Sequence, residues 1–216
     1  MADPEHSGFI RCSAPPALGA DEIHLWHMPL ALPAARALRA LARDGLLRLL
    51  RGYLAGAEPV LEVDAKGKPR LAGKVPLQFN LSHCPGHVML AFAWAQPLGV
   101  DIEARGRRVS VLEVARRFFH ADEAAALAEL PAALQLDAFV ALWTHKEALL
   151  KALGDGLSFG LDRIPFALEP STLSWTLRAA SDAADWRLHA FAPAPEVTGC
   201  LAWQGRSRRV RQLRVA

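Results

Sequence analysis

The chain has only three cysteines, Cys12, Cys84 and Cys200, odd in number and far apart. No Cys-x-x-Cys pair and no Cys/His ligand spacing occurs, which argues against a disulfide framework or a zinc site and for a reduced, cytoplasmic setting. Long apolar runs are missing as well. The longest, at residues 88–95, falls far short of the roughly 20 residues a helix needs to cross a bilayer. The opening Met-Ala-Asp-Pro-Glu-His has neither the basic nor the apolar region of a secretory leader, so none is expected. Charge is nearly balanced: 25 Lys+Arg against 22 Asp+Glu leave a net +3. That bias suits an anionic ligand or acidic partner without demanding nucleic acid. The late arginines, Arg206, Arg208, Arg209, Arg211 and Arg214, lack the interleaved exposed aromatics of a single-strand binder. They read as an edge strand with a solvated basic face.

What is present is an ordinary globular composition, 52% hydrophobic and 22% charged. The 216 residues can hold one sizeable domain or two of about 100 residues each. Residues 1–21, rich in Pro, Ala and Gly, read as a loosely held arm. Periodicity then predicts a strand at 23–28, a helix at about 33–54 and a short strand at 61–63. Paired strands follow at 79–83 and 87–94 around Cys84-Pro85-Gly86, then a strand at 98–103. Helices are predicted at 109–119, from 121, and at 132–153, the last stopped by Gly154. Strands near 174–179, 186–192, 197–203 and 209–215 complete the chain. The late strands come as hairpins without intervening helices, so the class is α+β rather than doubly wound α/β. Each half repeats one coarse order: a strand, helical matter, then short antiparallel strands.

Two segments carry the chemistry. On the strand at 98–103, Asp101 and Glu103 point one way while Val100 and Ile102 point to the core. On the long helix, Trp143, Glu147 and Lys151 share a face at i, i+4 and i+8. A carboxylate pair on a strand with a carboxylate and a lysine on a helix is what a Mg²⁺-dependent reaction on a pyrophosphate needs. Each segment alone has a plainer reading, a solvated strand end or a helix surface; Trp143 alone reads as core packing.

With these residues in order the chain resembles the 4′-phosphopantetheinyl transferases, in their larger surfactin-type class. The resemblance is carried by Phe79-Asn80-Leu81-Ser82-His83, Gly99-Val100-Asp101-Ile102-Glu103, and Arg117-Phe118-Phe119 with Glu123. It continues in Trp143-Thr144-His145-Lys146-Glu147-Ala148 with Lys151, in Gly67-Lys68-Pro69 and in Gly154-x-Gly156-Leu157. It covers about residues 60–165, and the order of the motifs is more specific than any one of them. The resemblance implies two similar α+β halves related by a pseudo-twofold, here 1–97 for nucleotide and phosphate anchoring and 98–216 for metal binding and catalysis. It implies transfer of the 4′-phosphopantetheine arm of coenzyme A to a serine of an apo acyl or peptidyl carrier protein, releasing 3′,5′-ADP. The carriers would serve polyketide, nonribosomal peptide or fatty-acid synthesis. No nucleic acid or membrane partner is implied, and the expected state is a monomer.

Residue by residue, the resemblance makes Asp101, Glu103 and Glu147 the Mg²⁺ ligands. Glu147, directly or through a metal-bound water, becomes the base for the carrier serine, and Lys151 stabilises the leaving group. Lys146 becomes a second phosphate contact and His83 a ligand of the 3′-phosphate, with Lys68, Pro69 and Ser82 along the nucleotide. Arg43 fits the family's phosphate-binding arginine. The stretch before this helix is shorter than in the family, and Arg36 and Arg39 are candidates to replace its missing lysines. Carrier recognition would suit Arg105, Arg107, Arg108, Arg116 and Arg117. The alternative is a degenerate coenzyme A-binding module without transfer activity.

Overall fold

Alternation along the strands and a 3–4-residue stripe along the helices build four layers, helix, sheet, sheet, helix. The computed structural model describes residues 8–31, 35–65, 67–154, 160–178 and 185–216. The Gly156-Leu157 end of one motif, residue 179 of an expected strand, the expected helix start at 33–34 and the side chain of Arg36 lie outside the described residues.

The first half opens with β1 (Ile10–Cys12), β2 (Glu22–Pro29) and α1 (Ala35–Tyr53), followed by the hairpin β3 (Leu61–Val63) and β4 (Pro69–Leu71) and the hairpin β5 (Leu77–Cys84) and β6 (His87–Trp94). Leu38, Ala42, Leu46, Leu49 and Leu50 make the buried stripe of α1. They pack on Trp26 and Met28 of β2 and on Val88, Leu90 and Phe92 of β6. The opposite faces of those strands carry Ile23, Leu25, Met89, Ala91 and Ala93 into a second core. Six consecutive residues of β2 are therefore buried, because both faces of this sheet are covered.

The second half starts at β7 (Leu98–Ala104), continues through α2 (Val111–Phe118), α3 (Ala121–Glu129) and α4 (Ala132–Leu153), then β8 (Phe166–Glu169), β9 (Ser174–Leu177), β10 (Trp186–Ala194), β11 (Val197–Gln204) and β12 (Arg209–Val215). Leu98, Val100 and Ile102 of β7, with Leu201 and Trp203 of β11, fill the core between the two sheets from the other side. The opposite face of this sheet meets α4, on which α2 and α3 pack in turn. The sheet orders repeat: β2-β6-β5 in the first half, β7-β11-β10 in the second, antiparallel throughout. Each half also carries its own short hairpin, β3–β4 and β8–β9. The expected repeat of two α+β halves is thus present as topology.

Three expectations need correction. The division at 97/98 falls in the turn between β6 and β7, but the last strand of the 98–216 half, β12, lies parallel to β2 in the first half's sheet. β12 is also not an edge strand, since β1 pairs along its other side. Its arginines and the turn before it meet acids at the sheet margin: Arg206 of the turn with Asp21, and Arg209 and Arg211 of the strand with Glu22. The same β1 pairing means that part of the amino-terminal arm is a strand, held by backbone hydrogen bonds that its Pro/Gly-rich sequence does not advertise.

Candidate functional site

The site begins with a missing side chain. A Cβ on Gly99 would collide with the backbone oxygen of Ala148 and the backbone nitrogen of Ala152. Only glycine lets α4 lie this close to β7. The approach sets Glu147 and Lys151 over the face of β7 that carries Asp101 and Glu103. Lys151 Nζ reaches Asp101 Oδ1 at 2.6 Å and the Val100 carbonyl at 3.1 Å. Ser82 of β5 donates its hydroxyl to the same Oδ1 at 2.8 Å. The other oxygen, Asp101 Oδ2, is buried and has no hydrogen-bond partner.

Crowding of negative charge shapes the electrostatics. Burial pushes the Glu147 carboxyl up to about 7; the Asp101 carboxylate adds to the push, Lys151 opposes it, and Glu103 adds a smaller part. Glu103 is also raised, mainly by burial, with Arg107 opposing. Arg107 donates to Glu103 Oε1 at 2.8 Å, and its guanidinium lies 5.3 Å over the ring of Trp143. Trp143 packs in turn on Phe119 and Phe139. It is core-like on one side and a platform on the other.

Among the described residues no three His, Cys, Asp or Glu side chains converge closely enough to hold an ion between them. The cation beside Asp101 is the Lys151 ammonium. The donor set still fits a hard divalent ion such as Mg²⁺. It offers carboxylate oxygens, one of them buried without a partner, in a cluster whose mutual repulsion an added positive charge would relieve.

Lys146 does not join this cluster, which corrects its expected role as a phosphate contact. It is fully buried, and its ammonium meets Glu123 Oε1 at 2.8 Å, the Leu161 carbonyl at 2.7 Å and the Ile164 carbonyl at 2.6 Å. Three donors have three acceptors, and none remains for a ligand. Burial pulls this lysine below its ordinary value against the counter-pull of Glu123. Glu123 also caps α3 by accepting from the His120 amide at 2.9 Å and holds the Phe166 amide at 2.7 Å. His145 is likewise structural, bonding the Ala141 carbonyl at 2.7 Å. Of the tract from Thr144 to Glu147, only Glu147 faces the cluster.

The anchoring end is a cavity of about 530 Å³ between α1, the β3–β4 hairpin and β5. Arg43, Pro69 and His83 line it together, with Arg39, over a floor that includes Leu46 and Leu81. Ser82 is not among its lining side chains. Side chains alternate along β5, so Leu81 and His83 face the cavity while Asn80 and Ser82 face β7. Lys68 is also aimed elsewhere: its ammonium donates to the Lys151 carbonyl at 2.5 Å and the Leu98 carbonyl at 3.4 Å. Burial lowers its ordinary value, and the nearby Lys151 charge adds to that. Lys68 borders a second cavity, of about 340 Å³, that reaches Pro97 and Gly154. Sequence reasoning missed Arg107 as the partner of Glu103. A spacing of four signals contact on a helix, whereas here a turn brings the pair together.

Comparison with known proteins places these motifs in a family. The family model described as the 4′-phosphopantetheinyl transferase superfamily matches residues 97–199. The chain is 33% identical to the protein named 4′-phosphopantetheinyl transferase HetI of Nostoc sp., over 70% of this chain and 76% of that one. It is 41% identical to 4′-phosphopantetheinyl transferase Sfp of Bacillus subtilis over 44% of this chain and 42% of that protein. With 4′-phosphopantetheinyl transferase AcpT of Escherichia coli K12 it shares 32% identity, over 50% of this chain and 55% of the relative. The match to these last two spans about half of their length.

Proposed function

The chain belongs to the 4′-phosphopantetheinyl transferase superfamily, and on that premise we propose that it moves the 4′-phosphopantetheine arm of coenzyme A to a serine of an apo acyl or peptidyl carrier protein. The serine oxygen bonds to the phosphorus next to the pantetheine, the phosphoanhydride bond breaks, and 3′,5′-ADP leaves. The observation that carries this reading is the Asp101 carboxylate, buried with one oxygen unpartnered, beside Lys151 and facing the half-buried Glu103 and Glu147.

In this reading the halves divide the work. Residues 1–97 anchor the nucleotide: Arg43, with Arg39 and His83, neutralises the phosphate of the adenosine end, and Pro69 forms an apolar wall. Residues 98–216 carry the reaction. Asp101, Glu103 and Glu147 would hold Mg²⁺, which would supply positive charge to neutralise the pyrophosphate. Glu147 takes the serine proton. Lys151 leaves Asp101 for the phosphate oxygen that gains charge as 3′,5′-ADP departs. Lys68 fixes the end of α4 through the Lys151 carbonyl and so holds that lysine in register with β7. No helix among the described residues is long and apolar enough to cross a membrane; the proposed setting is the cytoplasm and the proposed state a monomer.

The test is incubation with coenzyme A, Mg²⁺ and several apo carrier proteins, read by mass spectrometry. Addition of one phosphopantetheine to a carrier serine is expected. Coenzyme A binding without any mass gain on any carrier would replace the transferase reading with that of a binding module.

A further inference from the structure

We propose that Ser82 is a positioning residue, contributed by the first half, which fixes the Asp101 carboxylate so that Oδ2 is the oxygen presented to a divalent cation. The inference rests on the transferase reading for the identity of the ion, and on the geometry for everything else.

β7 is an edge strand of its sheet, and the edge away from β11 would leave amides unpaired. β5 covers that edge with side chains in place of a backbone ladder. Asn80 Oδ1 accepts from the Val100 amide at 2.8 Å, and Ser82 Oγ accepts from the Ile102 amide at 3.4 Å. Asn80 thus satisfies backbone alone. Ser82 does a second thing: its hydroxyl proton, directed by the incoming Ile102 amide, goes to Asp101 Oδ1 at 2.8 Å. Lys151 meets the same oxygen at 2.6 Å. One oxygen of the carboxylate therefore has two donors and the other has none, although both belong to a residue only 6% exposed.

A hydroxyl that accepts from backbone and donates to carboxylate has one orientation, so it also selects one carboxylate orientation. Lys151 cannot do this alone. Its three equivalent protons impose no single direction on an acceptor, and it sits on a long side chain that is 28% exposed. Ser82 is short, buried and carried by a strand paired along its length to β6. Outer partners of this kind typically govern metal affinity by about ten- to a hundredfold.

The experiment is a Mn²⁺ titration followed by electron paramagnetic resonance on the whole protein with coenzyme A present, beside steady-state transfer kinetics, for wild type, Ser82→Ala and Ser82→Thr. Thermal melting of each variant checks folding. Ser82→Ala is expected to weaken Mn²⁺ binding by at least about tenfold while the KM for coenzyme A stays within about twofold, and Ser82→Thr, which keeps the hydroxyl, restores binding. A raised KM for coenzyme A with unchanged Mn²⁺ affinity would make Ser82 a nucleotide contact and overturn the proposal. So would a lowered Tm with neither constant changed, which marks a merely structural residue. Wild-type protein that binds Mn²⁺ through this device yet transfers nothing would sink the transferase reading and leave the role of Ser82 standing. Wild-type protein that binds no Mn²⁺ sinks the proposal itself.

Discussion

Lys146 and Lys151 stand five residues apart on α4 and meet opposite fates. Lys146 points into the core, where Glu123 and two carbonyls take every donor it has. Lys151 points to β7, where it shares Asp101 Oδ1 with Ser82 beside an oxygen that nothing satisfies. A closed buried ion pair gains from the low dielectric and fixes one packing of α3, α4 and β8. An open one keeps carboxylates crowded, raises Glu147 and leaves room for a ligand to complete it. The difference separates folding from chemistry within a single helix, and local dissatisfaction marks the chemical side.

The comparison breaks most readily at Lys146. Lys146→Met should remove about 3–5 kcal/mol of stability, because it strands the buried Glu123 carboxylate. Thermal or urea unfolding checks this, and the folded fraction should keep its KM for coenzyme A. A raised KM would return Lys146 to the phosphate site. Asp101→Asn should lower kcat/KM by at least about a hundredfold with the Tm nearly unchanged, since the amide still accepts from Ser82 while losing its charge. Arg43→Ala removes a charge-assisted contact worth about 1.5–3 kcal/mol. It should raise the KM for coenzyme A by about ten- to a hundredfold and leave kcat alone.

The smallest effect is one of pH. Between the ordinary Glu value of 4.5 and the raised value of about 7, folded Glu147 holds a proton that the unfolded chain has released. Stability is therefore lost as pH rises across that window, and the loss is complete above it. In EDTA, Glu147→Gln should melt above wild type at pH 8, with the difference shrinking toward pH 5. A difference independent of pH would show that the carboxyl is not raised.

The sequence announced the elements wherever periodicity was clean. The long helix at 132–153 is bounded as expected because Gly154 adopts a left-handed conformation that ends it. It also placed Asp101, Glu103, Glu147 and Lys151 on facing elements, since parity on a strand and spacing on a helix decide direction. It misassigned Lys146 because a motif gives order, not orientation: five residues, about 1.4 turns of α4, separate a core lysine from a site lysine, and one residue of β5 separates His83 in the cavity from Ser82 at the carboxylate. The return of β12 to the first sheet had no local signal, because strand pairing at long sequence separation is written in the core that both halves share. The Glu103–Arg107 pair depends on a turn whose geometry only the folded chain defines.

A crystal structure with coenzyme A and Mn²⁺, with the ion located by its anomalous signal, tests the central division most directly. The account predicts the ion on Asp101 Oδ2 and Glu147, the adenosine-end phosphate at Arg43 and His83, and Lys146 still closed on Glu123. An ion bound away from Asp101, or a phosphate on Lys146, would contradict it.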